Sequence, residues 1–242
     1  MSKLLYQYDP ETGLLKSSFE AQIDVKMSKN GETVYLLPPN ATFVKPPTTV
    51  ATLHVAVFDR ETNSWKVIKD YRGKQVANIY TKEIITWDKI GDIPENYTLN
   101  LYSMDMVDYI EWNGSGWVIS GKGRKRLLDE IWILRKSKRE QQCSSDLLYK
   151  DHMIHVDAVS FNDIMLAAQE ALILGDMTTT KRWITADNID VELNGYDFIQ
   201  IARLYGERRQ ALVYESNEAW QQDTERSNAE LVAIFKELKG MA

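Results

Sequence analysis

One cysteine, Cys143, in 242 residues excludes an intramolecular disulfide and fits a chain made in a reducing compartment. It lies in Gln141-Gln142-Cys143-Ser144-Ser145 with no base beside it, so it reads as a structural thiol and not a nucleophile. Histidine is equally scarce. His54 stands far from His152 and His155, and on a strand the i, i+3 spacing of that pair sends the two rings to opposite faces, which argues against a shared metal. No P-loop, serine elbow or dinucleotide fingerprint occurs, and no carboxylate spacing singles out an acid and a base. We therefore expect no catalytic residue, no metal and no cofactor, and a binding or structural protein in place of an enzyme. No charged-then-apolar leader follows Met1 and no apolar run reaches ~18 residues, which argues against secretion and membrane spanning.

Basic charge is also in deficit overall, with a net of −6, yet it is concentrated in one place. Residues 122–139 hold eight basic side chains against Asp129 and Glu130, a local net of +6 (8 − 2), so the remainder carries −12 (−6 − 6). A Gly-Lys-Gly-Arg-Lys-Arg run can bind nucleic acid. The reading we favour is a basic helix face docked on an acidic neighbour, because an acidic protein repels phosphate backbones as a whole. Nucleic acid is accordingly not an expected partner; strongly salt-dependent DNA binding would reverse that.

Turn chemistry organises the first half. Asp9-Pro10-Glu11-Thr12-Gly13 follows an alternating run at residues 4–8 and predicts a β-hairpin, since proline presets φ and glycine supplies the positive φ that closes the turn. Asp59-Arg60-Glu61-Thr62-Asn63 repeats that turn between residues 53–58 and 65–68. Four of the six prolines fall in Pro38-Pro39 and Pro46-Pro47, so this stretch is expected as an extended crossing and not a central strand, pinned by Tyr35, Phe43 and Val44. Strands are predicted at residues 75–80 and 83–90, and a last hairpin at 109–112 and 117–119 in which Trp112 and Trp117 flank the turn.

The second half has helical periodicity. Gly121 and Gly123 read as linker glycines before a helix at 124–142, with a domain boundary near 118–124. A strand at 152–156 leads to a helix capped by Ser160 with Asp163, buried through Phe161, Ile164, Met165, Ala168, Ala171 and Leu172, and stopped by Gly175. A hairpin at 181–193 precedes Asn194, the predicted cap of the C-terminal run, with Asp197 three positions on. Residues 196–239 contain no proline and one interior glycine, Gly206, and read as one long helix or two stacked end to end. Its narrow seam of Trp220, Thr224, Ser227, Leu231, Ile234 and Leu238 is expected to pack against a second copy, with docking on the helix at 124–142 the alternative. The predicted class is α+β: a β-hairpin-rich domain at 1–120 and a mostly α domain at 121–242 with a small hairpin and a long terminal helix.

Two stretches carry a resemblance. Tyr8-Asp9-Pro10-Glu11-Thr12-Gly13-Leu14-Leu15, then Leu36-Leu37-Pro38-Pro39-Asn40-Ala41-Thr42-Phe43-Val44 with Pro46-Pro47, resemble the opening of bacteriophage tail-fibre assembly proteins. The same order continues with Val55-Ala56-Val57-Phe58-Asp59, Trp65 and Asp70-Tyr71-Arg72-Gly73-Lys74. The run Trp183-Ile184-Thr185-Ala186-Asp187-Asn188, with Val191 and Leu193, is similar to an uncharacterised domain at the C-terminus of phage tail-fibre-related proteins. The resemblance implies a non-enzymatic protein of the phage adhesion apparatus that binds tail fibre or baseplate. As a virion component it would sit in the tail after assembly in the host cytoplasm; as an assembly chaperone it would leave. The α-rich second half departs from short assembly chaperones and favours the former. Contact with the partner is expected at Trp65, Tyr71, Arg72, Trp112 and Trp117, because aromatics with polar tips suit contact surfaces.

Overall fold

A computed structural model describes residues 3–28 and 31–241. The chain is α+β and forms two compact units, one of residues 1–107 and 111–118, the other of 108–110 and 119–242.

In the first unit, β1 (Leu4–Tyr8) lies between β2 (Leu15–Glu20) and β3 (Ala41–Thr42), antiparallel to both. β3 falls inside the proline-rich segment, so that stretch is not all extended crossing. Its two residues fit because it is a sheet edge, where Pro38 and Pro39 need not donate. β4 (His54–Asp59) pairs with β5 (Ser64–Lys69). The two predicted turns are built alike: the Asp9 carboxylate accepts from the amides of Glu11 and Thr12, as that of Asp59 does from Glu61 and Thr62. Gly13 and Asn63 take the positive φ, and each aspartate pairs with the lysine seven residues on, Lys16 or Lys66. The turns lie side by side, with Leu14 bridged to Val57 and Tyr8 stacked on Phe58 at 4.6 Å. A Cβ on Gly13 would stand 2.8 Å from the Phe58 carbonyl oxygen, so glycine serves both the φ and this approach.

β6 (Gln75–Asn78) is central between β7 (Ile84–Thr86) and β8 (Tyr97–Thr98). These strands are shorter than predicted, because the chain turns at Asn78–Lys82, where Lys82 has φ of 62°. β9 (Ile110–Trp112) and β10 (Trp117–Ile119) make the hairpin at the passage between the units.

The second unit begins with α1 (Gly121–Cys143), capped by the Ser120 hydroxyl on the Gly123 amide. Gly121 and Gly123 are thus the helix's first turn and not a linker. Gly123 is needed for packing, since a Cβ there would lie 1.8 Å from the Tyr109 carbonyl oxygen. Tyr109 itself donates to Glu130 and meets Phe235 edge-on, which is why residues 108–110 group with this unit. β11 (Leu147–Tyr149) pairs with β12 (His152–Ile154), and α2 (Ala158–Leu174) follows. The cap of α2 is Asp157, which accepts from Val159 and Ser160; Ser160 already sits in the helix, so the Ser160–Asp163 box does not form. Ile164, Ala168 and Ala171 are buried as expected, whereas Leu172 is exposed and Ala167 takes its place. Gly175 closes the helix with φ of 66°.

β13 (Thr180–Ile184) and β14 (Asp190–Asn194) lead into α3 (Gly195–Glu225) through a capping box between Asn194 and Asp197. A core of Ile154, Val156, Ile164, Leu193, Phe198 and Ile201 joins β12, α2, β14 and α3. The C-terminal run is two helices: α3 stops at Glu225 and α4 (Asn228–Leu238) restarts behind a second capping box, Ser227 with Glu230.

Candidate partner-binding surfaces

Each of the five aromatic and basic residues expected at a contact surface lies in the first unit, but they do different work. Trp65 donates its indole N–H to the Val44 carbonyl at 2.8 Å and meets Phe58 edge-on, so it pins the proline segment to the β4–β5 hairpin. Arg72 grips Asp70 through two hydrogen bonds of 2.8 and 2.6 Å. That contact holds the Asp70 carboxyl below the usual carboxylate range and raises Arg72. Trp117 donates to the Asn100 carbonyl at 2.7 Å and packs against Tyr102 and Trp112. Tyr71 borders an open depression of about 320 Å³ with Lys69, Asp92, Tyr97, Leu99 and Asn100. Asn100 thereby links the Tyr71 depression to Trp117 and Trp112. Trp65 belongs with Phe58 and Val44 instead.

Sequence reasoning missed Tyr97, Leu99 and Asn100, which carry no motif and gain meaning only from the pairing of β6 with β8. It also missed a run of exposed apolar side chains after β2, including Ile23, Val25, Met27 and Leu37. Their signal was present: apolar residues in a segment with neither helical nor clean strand period.

In the second unit two arginines of the basic run, Arg124 and Arg135, make contacts with α3 and α4. Arg124, at the start of α1, donates to the Thr224 and Arg226 carbonyls and to Asn228 Oδ1, bridging the end of α3 and the start of α4. Arg208 of α3 returns the arrangement, donating to the carbonyls of Cys143, Ser145 and Asp146 past the end of α1. Arginine suits both places because carbonyls at helix C-termini lack partners. Arg135 forms a two-point ion pair, 2.6 and 3.0 Å, with the buried Asp223. Arg124, Arg135 and Arg208 are thus engaged within the unit.

The predicted seam is redistributed. Leu231 is fully buried, together with Phe235, which the seam omitted, and α4 lies on α1 of the same chain. The expected packing of Leu231 on a second copy is therefore corrected: the intramolecular alternative covers it. Ser227 caps α4, and Thr224 is exposed with its carbonyl serving Arg124. Trp220 packs on Trp132 at 5.3 Å, while Ile234 and Leu238 line an open groove of about 390 Å³ with Arg135, Lys138 and Glu230. Among the described residues, no cluster of His, Cys, Asp and Glu could hold a metal ion, and no helix is long and apolar enough to cross a membrane.

Residues 124–234 match the family model described as a domain of unknown function, DUF4376. Over 89 residues the chain is 34% identical to the tail fiber assembly protein of Escherichia phage lambda, covering 37% of this chain and 44% of that protein. It is 33% identical over 89 residues, with the same coverage, to the prophage tail fiber assembly protein homolog TfaR of Escherichia coli K12. The chain resembles the bacteriophage tail-fibre assembly family. Protein TfaD of Escherichia coli K12 is 29% identical over 104 residues, 42% of this chain and 54% of its own length. The chain thus spans about half the length of the tail-fibre assembly relatives it matches. No solved structure gives a significant match.

Proposed function

We propose that this chain is a non-enzymatic tail-fibre-associated protein that grips a phage tail fibre or baseplate through its first unit and stays in the virion tail. The observation that carries the reading is the pairing of two different matches in one chain. The chain is similar to proteins named for tail-fibre assembly, and its residues 124–234, in a unit with its own hydrophobic core, match another family. A second unit with its own hydrophobic core and reciprocal arginine caps is costly equipment for a factor that only visits the fibre. We take the contact surface to be Tyr71 and Trp112 with Tyr97 and Leu99, because Trp65 and Trp117 direct their N–H groups to internal carbonyls and Arg72 is held by Asp70.

The names of the relatives favour a second reading, an assembly chaperone that is absent from the finished particle. Quantitative mass spectrometry of purified virions separates the two. A fixed stoichiometric copy number supports the structural component, and absence from particles that still carry functional fibres supports the chaperone. Tyr71→Ala with Leu99→Ala in the full chain should weaken co-purification with the fibre while leaving the circular dichroism spectrum unchanged. A wild-type chain that captures neither fibre nor baseplate overturns both readings.

A further inference from the structure

The β2 strand has a property that its neighbours lack: each of its six residues, Leu15–Glu20, is exposed. It is also a sheet edge, in the order β2-β1-β3. Two hydrogen bonds fix which way its backbone faces. The Ala21 amide donates to the Lys3 carbonyl at 2.7 Å, and the Tyr8 amide donates to the Asn40 carbonyl at 2.8 Å. In an antiparallel ladder the backbone groups alternate sides. Lys3, Leu5 and Gln7 therefore turn toward β2, while Leu4, Tyr6 and Tyr8 turn toward β3. Ser18 and Glu20, the partners of Tyr6 and Leu4, consequently aim their N–H and C=O groups away from the sheet.

At its beginning β2 is shielded, since Leu14 bridges Val57 of β4 and the Phe58 amide donates to the Gly13 carbonyl. Beyond that point no described residue supplies a hydrogen-bond partner to the Ser18 or Glu20 backbone. The usual guards of an edge are weak here. Lys16 is drawn off to Asp9, and β2 contains no proline. The flank is apolar: Phe19 is 39% exposed, and Ile23, Val25 and Met27 beyond it are 52%, 82% and 67% exposed. A free pair of ladder positions next to exposed apolar side chains is the equipment for taking up a strand, with backbone bonds giving affinity and side-chain contacts giving selectivity.

We infer that β2 accepts an extended segment of the tail fibre as an added β-strand, hydrogen-bonded to Ser18 and Glu20 and carrying an apolar side chain opposite Phe19. This rests on the reading of the first unit as the fibre-binding part and specifies how the fibre is held.

Amide hydrogen exchange on the full-length wild-type chain, with and without the tail fibre of the phage that encodes it, tests this directly. The Ser18 and Glu20 amides should exchange freely alone and slow markedly with fibre, while Ser17 and Phe19, already bonded to β1, change little. Ser18→Pro should fold, because its N–H faces outward and proline is accepted there. Its capture of fibre should weaken about tenfold or more through the lost ladder bond and the adjacent clash. Fibre capture with Ser18 and Glu20 still exchanging freely would overturn strand addition and leave the fibre-binding reading standing. Protection of both amides without fibre, together with a dimeric mass, would overturn it in favour of pairing between copies. Failure of the wild type to capture fibre would remove the reading beneath it.

Discussion

Three glycines on helices differ only in what surrounds them, which gives a sharp test of the α1 packing. Gly206 lies inside α3 with nothing within 4 Å of where a Cβ would go. Alanine there should stabilise the second unit by about 1 kcal/mol through backbone entropy and helix propensity. Gly121, equally open, should respond in the same direction by less, because it sits in the first turn. Gly123 must go the other way. A Cβ at 1.8 Å from the Tyr109 oxygen, 2.5 Å from its carbonyl carbon and 2.7 Å from its Cα meets backbone and cannot be relieved by a rotamer. An ordinary carbon–oxygen contact needs about 3.3 Å, so α1 or residue 109 must move by roughly 1.5 Å. That movement would disturb Leu127 and Ile131, both fully buried. Overpacking at the upper end of its range costs about 3 kcal/mol, less a helix gain of under ~1 kcal/mol because Gly123 too lies in the first turn, for a net loss of at least about 2 kcal/mol. Gly123→Ala and Gly206→Ala should therefore stand about 3 kcal/mol apart, roughly 10 °C in Tm for a unit of this size. Urea denaturation followed at 222 nm, with a calorimetric scan, measures it. If Gly123→Ala unfolds at or above the wild-type midpoint, α1 does not pack on residue 109 as described.

Asn194→Ala removes the acceptor for the Asp197 amide and should cost about 1 kcal/mol in the same assay; an unchanged midpoint would place the start of α3 elsewhere. Leu231→Ala should cost ~2–5 kcal/mol as an unfilled cavity under α4 while the solution mass stays unaltered, whereas a fall in mass with little loss of stability would restore the inter-chain seam. Lys66 above all, with smaller help from the Thr62 hydroxyl and the Glu61 and Thr62 amides, holds the Asp59 carboxyl down at about 2, against burial, which is the second-largest effect. A depressed carboxylate contributes stability above its unfolded value near 4 and loses it as pH falls toward 2, so the first unit should weaken across that window. Asp59→Asn should flatten the acid limb, and an unaltered limb would show that the turn does not set it.

Much was legible because it depends on near neighbours. The Asp-x-Glu-Thr-Gly and Asp-x-Glu-Thr-Asn turns close on their own side chains, Gly175 takes the left-handed conformation of a helix stop, and Asn194 with Asp197 caps α3 within four residues. The resemblance to tail-fibre assembly proteins came the same way, from the order of short local segments. Some local signals were present but misread: Ser227-Asn228-Ala229-Glu230 is a capping box that ends one helix and starts another, although it looked like part of a continuous seam. At the Tyr71 surface, Tyr97, Leu99 and Asn100 stay mute until β8 joins β6.

Tertiary structure decided the rest, wherever a residue's role is set by a partner distant in the chain. Gly123 is a close-contact glycine only because Tyr109 passes under it, and no spacing in the sequence says so. The break after Glu225 is held by Arg124, about a hundred positions away, whose guanidinium takes up the carbonyls that a continuous helix would have paired. The same fold engages two members of the +6 stretch, Arg124 and Arg135, in holding α1 against α3 and α4. Short-range hydrogen bonding selects turns and caps from the local sequence, whereas burial and close approach depend on the whole chain's path. That is why the elements of this protein could be read, and the seam that joins them could not.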